Sequence, residues 1–416
     1  RTHTLSQNNR IRTKQQRLMI QINIPFSKSI SNRLLIMHFL SKSKKTFTHL
    51  SQSDDTLLLQ SILKQITNQE TTIFNTQNAG TTTRFLIALL SVTKGNWQIN
   101  ADERMNHRPI LPLLEALKEL GAEIKTFSQT KIFPLTIKGK DLQGGKTIEI
   151  LSTQSSQIVS AIAMIAPYCK GGLKIEYPEN QTSLSYIEMT LSMMKHHGIE
   201  VETKQNIINI KQGTYKIEEE TFEADWSSAS FFYALVAIEK THKIFLPQLK
   251  ENSLQGDKAI ERIFRKSFSV LTSYTKEGAI IEYSPDLEKQ PQQIDFTSTP
   301  DLFLPVLIAD VCTSSQLSYK GLQTLNLKES QRLDKAIEQL QQFGIKFIVN
   351  NEVLTLDKTQ RHFNNPSKQI KTYQDHRIAM AFSLLAIKNK TINIENPQCV
   401  SKSFPNFWQE LRKIKQ

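Results

Sequence analysis

An α/β (α+β) fold in two domains, each an inside-out α/β barrel of three βαβαββ-type units, is predicted by three features of the 416-residue chain. One layout, a small or polar cluster opening an apolar helix of about three turns, recurs six times. These helices are apolar on nearly all sides, which places them inside a domain with sheets around them. Between them lie amphipathic helices that tend to close on glycine and pass into an alternating strand.

The six clusters are Ser29-Ile30-Ser31-Asn32-Arg33, Gly80-Thr81-Thr82-Thr83-Arg84, Ser155-Ser156-Gln157, Ser227-Ser228-Ala229-Ser230, Pro300-Asp301 and Asp375-His376-Arg377. Their starts are spaced by about 50 residues once and by about 75 four times, the mark of one supersecondary unit used repeatedly. The glycine stops are Gly121, Gly198 and Gly344, after the patterns Pro109 to Leu120, Tyr186 to His197 and Leu333 to Phe343. Asp257 to Phe268 and Phe404 to Ile414 fill the same place without a glycine. The expected division is 24–222 for the first domain and 19–23 with 223–416 for the second, crossing near Glu223-Ala224-Asp225. Residues 1–18 form an extra basic tail without an acid, and Met19 is a candidate start.

Composition bounds the function. The chain is 39% hydrophobic and 22% charged, and its longest apolar runs fall short of the roughly 18 residues of a membrane helix. Three distant cysteines, Cys169, Cys312 and Cys399, show no metal spacing and read as reduced thiols of a cytoplasmic protein. Lys and Arg number 52 against 39 Asp and Glu, a net +13. The basic residues sit singly beside Ser, Gly, Asn or Asp at helix starts and form no aromatic-interleaved stripe, so small anions rather than nucleic acid are the expected partners.

Helix N-termini favour anions through free N–H groups and the helix dipole, and cations beside them add to the preference. Converging on one cleft, the starts would bring together Lys28, Ser29, Arg33, Asn78, Gly80, Arg84, Arg108, Ser155, Ser156, Gln157, Asp301, Lys328, Glu329, Arg332, Arg377 and Lys402. Eight are cations and two are acids, a set suited to a ligand with several phosphates and carboxylates. Asp301 would stay ionised in that field and suits removal of a hydroxyl proton. From the residues alone Glu329 is either a structural ion pair or a proton donor. Asp225, Ser227 and Ser228 read as caps, and His196 and His197 as solvated.

These motifs match a family over nearly the whole chain from Ile22. The sequence resembles the 5-enolpyruvylshikimate-3-phosphate synthases through Pro25-Phe26-Ser27-Lys28-Ser29, Asn78-Ala79-Gly80-Thr81-Thr82-Thr83-Arg84, Arg108-Pro109, Ser155-Ser156-Gln157, Pro300-Asp301, Lys328-Glu329-Ser330-Gln331-Arg332, Asp375-His376-Arg377 and Lys402-Ser403-Phe404-Pro405. The resemblance implies domain closure and transfer of an enolpyruvyl group from phosphoenolpyruvate to the 5-hydroxyl of shikimate 3-phosphate, with no metal or cofactor and a monomer as the expected state. It implies Asp301 as base, with Glu329 and Lys28 handling the proton at the methylene carbon. Shikimate 3-phosphate would be held by Lys28, Ser29, Arg33, Ser155, Ser156, Gln157, Ser183, Tyr186, Asp301, Thr324 and Lys328. Phosphoenolpyruvate would be held by Lys28, Gly80, Arg108, Gln157, Arg332, Arg377 and Lys402.

Three departures stand out. Phe26 replaces a small residue and is expected to narrow the entry to the site. Ser183-Leu184-Ser185-Tyr186 replaces Ser-Lys-Pro-Tyr, and Thr324 replaces an asparagine. The sister reaction on UDP-N-acetylglucosamine is the nearest alternative, but its loop cysteine has no counterpart before Cys169. A polyanion binder without chemistry gains nothing from acids buried among cations, as Asp301 and Glu329 would be.

Overall fold

The computed structural model describes residues 19–151, 155–290, 292–357, 369–388 and 392–414, so the tail 1–18 lies outside the described residues. Helices begin at all six clusters: Lys28–Ser41, Gly80–Val92, Ser156–Ile165, Trp226–Glu239, Phe303–Thr313 and His376–Ser383. Three starts are capped by their own sequence. Ser27 accepts from the Ile30 N–H, Asp225 from Ser228 and Asp375 from Arg377, each meeting an N–H that the helix leaves unpaired. The Trp226 helix is buried along every residue except its last, as an all-round apolar sequence requires.

The amphipathic helices are Leu111–Glu119, Leu184–His196, Ala259–Phe268, Arg332–Gln341 and Phe407–Arg412. Gly121, Gly198 and Gly344 follow three of them with φ of +92°, +85° and +81°, the left-handed turn that favours glycine. Ser269 makes the same turn after Phe268. A further helix, Asp54–Thr67, takes this place in the first unit.

Four units complete the expected strand-helix-strand-helix-hairpin. In the second, Ile73–Asn75 pairs parallel with Gly95–Asn100, which pairs antiparallel with Leu135–Gly139, and Glu123–Lys125 closes the sheet. The other three four-stranded sheets repeat that order. The sixth unit has one parallel pair, Gln369–Ile370 with Asn393–Ile394. The first unit has only its two helices among the described residues, which corrects the expectation of a sheet in every unit and accounts for its shorter spacing.

The first described strand, Met19–Gln21, pairs parallel with Lys243–Pro247. Buried apolar residues accordingly form two cores, one from Ile30 to Ile217 and one joining Ile22 and Ile24 to Ala224 and beyond. The chain crosses between them twice, and the crossings are tied side by side: the Ser27 N–H donates to Glu223 and the Asp225 N–H to Pro25. The Phe26 ring stands edge-on to His49 and Phe222 there and is absent from the cavity lining, so it does not narrow the site.

Candidate active site

Between the two cores lies a cavity of about 80 Å³ at which the helix starts meet. The first half contributes Lys28, Ser29, Arg33, Thr81, Arg108, Ser156 and Gln157, with Ser183 and Tyr186 from the start of the Leu184 helix. The second half contributes Asp225, Ser227, Asp301, Lys328, Glu329, His376, Arg377 and Ser403. Lys28, Ser156, Ser183, Asp225 and His376 open or cap helices, whereas Arg108, Lys328 and Ser403 close short 3-10 turns.

Asp301 is met by three cations. Its carboxylate lies 2.9 Å from Arg332, 3.1 Å from Arg377 and 3.7 Å from Lys328, and the Tyr186 hydroxyl stands 3.3 Å away. Burial alone would raise its pKa, but Arg377, Lys328 and Arg332 outweigh it and hold the carboxyl far below its ordinary range. Glu329 is likewise depressed: Arg332 at 2.6 Å and Arg108 at 4.0 Å overcome burial.

Lys28 donates to Asp55 at 3.0 Å. Burial pulls its pKa down, and Asp55 followed by Glu329 more than offsets it, so the ammonium is raised above its usual value. Gln157 is fixed by two contacts, accepting from Arg84 at 2.8 Å and donating to Thr81 at 3.0 Å. Among the described residues Arg84 otherwise bonds only the carbonyls of Gly80 and Pro109, which makes it a scaffold for Gln157. Arg33 reaches Thr190 at 2.6 Å and the carbonyls of Ser29 and Tyr186, and burial lowers it to about 10.

Five residues expected to touch ligand stand outside the lining. Arg332 is 1% exposed and bonded to Asp375, Asp301 and Glu329, so it aligns the two acids from behind. Gly80 lies beneath the Arg108 guanidinium. Lys402 donates to the Asn78 carbonyl across the two halves at 2.8 Å. Ser155 stands one residue before the helix that presents Ser156 and Gln157. Thr324 is buried, and its Oγ1 has no partner among the described residues.

Sequence reasoning missed Asp55, Thr81 and the part of Asp375 as a shared acceptor. Each follows or opens a helix in a run of small polar residues, the signal that found the other starts. Asp225 does cap its helix, but it and Ser227 also line the cavity, where Ser227 accepts from Arg377 at 2.9 Å. His376 is buried, and burial followed by the Lys28 charge holds it neutral, far below its ordinary pKa. His197 corrects another expectation: it is 1% exposed, and burial together with His196 drives it down to about 4.

A chain of repeated βαβαββ units, two cores and one cation-rich cavity defines an enolpyruvyl-transferase type of protein. Its fold is shared with the EPSP synthase from Acinetobacter baumannii (TM-score 0.74, 21% identity, 94% of this chain and 95% of that one) and with the enolpyruvyl transferase NikO from Streptomyces tendae (TM-score 0.69, 11% identity). The chain belongs to the EPSP synthase (3-phosphoshikimate 1-carboxyvinyltransferase) family, whose model matches residues 12–411. It is 37% identical over 394 residues to the 3-phosphoshikimate 1-carboxyvinyltransferase of Bacteroides fragilis, covering 94% of each chain. Identity to the enzyme of that name from Sulfurovum is 31% over 430 residues, covering 95% of this chain and 96% of that one.

Proposed function

We propose that this chain transfers the enolpyruvyl group of phosphoenolpyruvate to the 5-hydroxyl of shikimate 3-phosphate and releases phosphate. The observation that carries the reading is Asp301: a carboxylate kept ionised by Arg332, Arg377 and Lys328 beside the cavity is a base placed where anionic substrates are drawn. Asp301 takes the hydroxyl proton as the oxygen bonds to the enol carbon, and Lys28, whose pKa is raised, supplies a proton to the methylene carbon. Glu329, ionised, then removes a proton from that carbon as phosphate departs and returns it toward Lys28, with which it interacts electrostatically. The hydroxyl proton leaves with phosphate, so atoms and charge balance.

Lys28, Ser29, Arg33, Ser156, Gln157, Ser183, Tyr186 and Lys328 serve shikimate 3-phosphate, and Arg108, Arg377, Lys402 and Gln157 serve phosphoenolpyruvate. Ser155, Thr324, Gly80 and Arg332 support these from outside the lining, where Lys402 also stands, bonded to the Asn78 carbonyl. We read the two cores as two domains, with Ile24 in the second core moving that boundary to Pro25. The cavity is lined from both cores, so we read the domains as parting to admit substrates and closing over them. We read the enzyme as a cytoplasmic monomer with its three cysteines, Cys169, Cys312 and Cys399, reduced. No helix among the described residues is long and apolar enough to cross a membrane.

Phosphate release tests the assignment, with each substrate alone, with both, and with UDP-N-acetylglucosamine replacing shikimate 3-phosphate. The expected result is release only with both shikimate-branch substrates, lost by at least about a hundredfold in Asp301→Ala and Lys28→Ala. Release with the sugar nucleotide, or none from folded protein, overturns it.

A further inference from the structure

One buried acid at the cavity edge has no part in the mechanism above. Asp257 sits in the short Gly256–Lys258 turn that opens the Ala259 helix and is 4% exposed. Its Oδ2 accepts from the Ser227 hydroxyl and stands 3.4 Å from the Tyr186 hydroxyl, while its Oδ1 has no partner among the described residues. That same Tyr186 hydroxyl stands 3.3 Å from Asp301 Oδ2. Two carboxylates therefore compete for one phenolic hydrogen, and Tyr186 keeps that hydrogen because burial and then the two acids hold its pKa far above the usual value.

The two acids are supported unequally. Arg377 pairs with Asp301 directly at 3.1 Å, but reaches Asp257 only through Ser227, which accepts from Arg377 at 2.9 Å and donates to Asp257. The groups acting on Asp257 are Tyr186 from the Leu184 helix, Asp225 and Ser227 from the start of the Trp226 helix, Asp301 from its turn and Arg377 from the His376 helix. On its own segment, Lys258 is engaged by Glu261 at 2.7 Å.

We infer that Asp257 is a positioning residue for the reaction proposed above. Ionised, it draws the Tyr186 hydrogen to itself and leaves Asp301 Oδ2, with Arg377 still beside it at 3.1 Å, one donor fewer and a lone pair open to the substrate's hydroxyl proton. Protonated, it donates to the phenolic oxygen, turns the hydrogen onto Asp301 and blocks the base. The titration lies where this matters: burial, and then the Asp301 charge, raise the Asp257 carboxyl to about 6. Tyr186 comes from the first core and both acids from the second, so the switch forms only when the halves are together. The inference rests on Asp301 being the base.

The test uses the full chain labelled with 13C at the aspartate carboxyl carbons, in wild type, Asp257→Asn and Tyr186→Phe. One resonance, missing in Asp257→Asn, is expected to titrate near pH 6, and its midpoint is expected to rise by about half a unit or more in Tyr186→Phe, where the ionised form loses a donor. A midpoint below pH 5 or above pH 7, or one unmoved in Tyr186→Phe, overturns the inference whether or not the chain is active. In the steady state, wild-type kcat is expected to fall about tenfold from pH 7 to pH 5, and that of Asp257→Asn by less than about twofold. An acid limb retained in Asp257→Asn overturns it too, whereas a wild type that releases no phosphate at any pH overturns the reaction assignment and leaves the carboxyl titration to decide the shared hydrogen.

Discussion

Gly80 and Arg108 are packed so closely that a β-carbon on Gly80 would stand 2.5 Å from one guanidinium nitrogen and 2.6 Å from the guanidinium carbon. Gly80 thus acts by yielding space. It lets Arg108, 8% exposed and 4.0 Å from Glu329, reach the cavity over the start of the Gly80 helix.

Gly80→Ala is therefore expected to displace the guanidinium and cost one charge-assisted contact to phosphoenolpyruvate, about 1.5–3 kcal/mol. Its KM for phosphoenolpyruvate should rise by about tenfold to a hundredfold, while that for shikimate 3-phosphate stays within about threefold. Steady-state kinetics with each substrate varied in turn checks this, and an unchanged phosphoenolpyruvate KM would show that Arg108 does not hold that ligand.

Asp55→Asn probes the proton on Lys28. Desolvation already works against the ammonium, and Asp55 leads the charges that reverse it. Without that charge the Lys28 pKa falls, so Lys28 loses its proton at lower pH and the alkaline limb of kcat should move down by about one unit or more. The variant should match wild type near pH 6 and fall progressively behind it as pH rises through the lowered Lys28 pKa. A pH profile parallel to that of wild type would remove Lys28 from the proton-transfer step.

Phe26→Ala separates packing from catalysis. The ring meets His49 at 5.2 Å and Phe222 at 5.7 Å, both edge-on, and is absent from the cavity lining. Losing these contacts should cost about 1–3 kcal/mol of stability, read as a lower Tm, with both KM values within about twofold of wild type. A large KM change with an unchanged Tm would return Phe26 to the site.

Much of the architecture was legible because it is written in local chemistry. Polar clusters that cap helices, helices apolar all round, and Gly121, Gly198 and Gly344 at left-handed turns each carry their meaning within about ten residues of chain. The sheetless first unit was not legible, since the shorter spacing to the second cluster does not say which elements are missing. The family motifs likewise pointed to Lys28, Asp301, Glu329 and Arg377, all of which line the cavity.

Which of two similar residues lines the cavity and which stands behind it was decided only in three dimensions. Arg332 and Arg377 have the same chemistry, yet Arg332 is enclosed by three carboxylates while Arg377 lines the cavity. Asp55, Asp257 and Asp375 act on Lys28, Tyr186 and Arg332 across 27, 71 and 43 residues of chain. A linear sequence determines the residue types and the local turns. The ionisation of a buried acid depends on which charges folding brings within a few ångströms of it, and those come from helix starts in separate units.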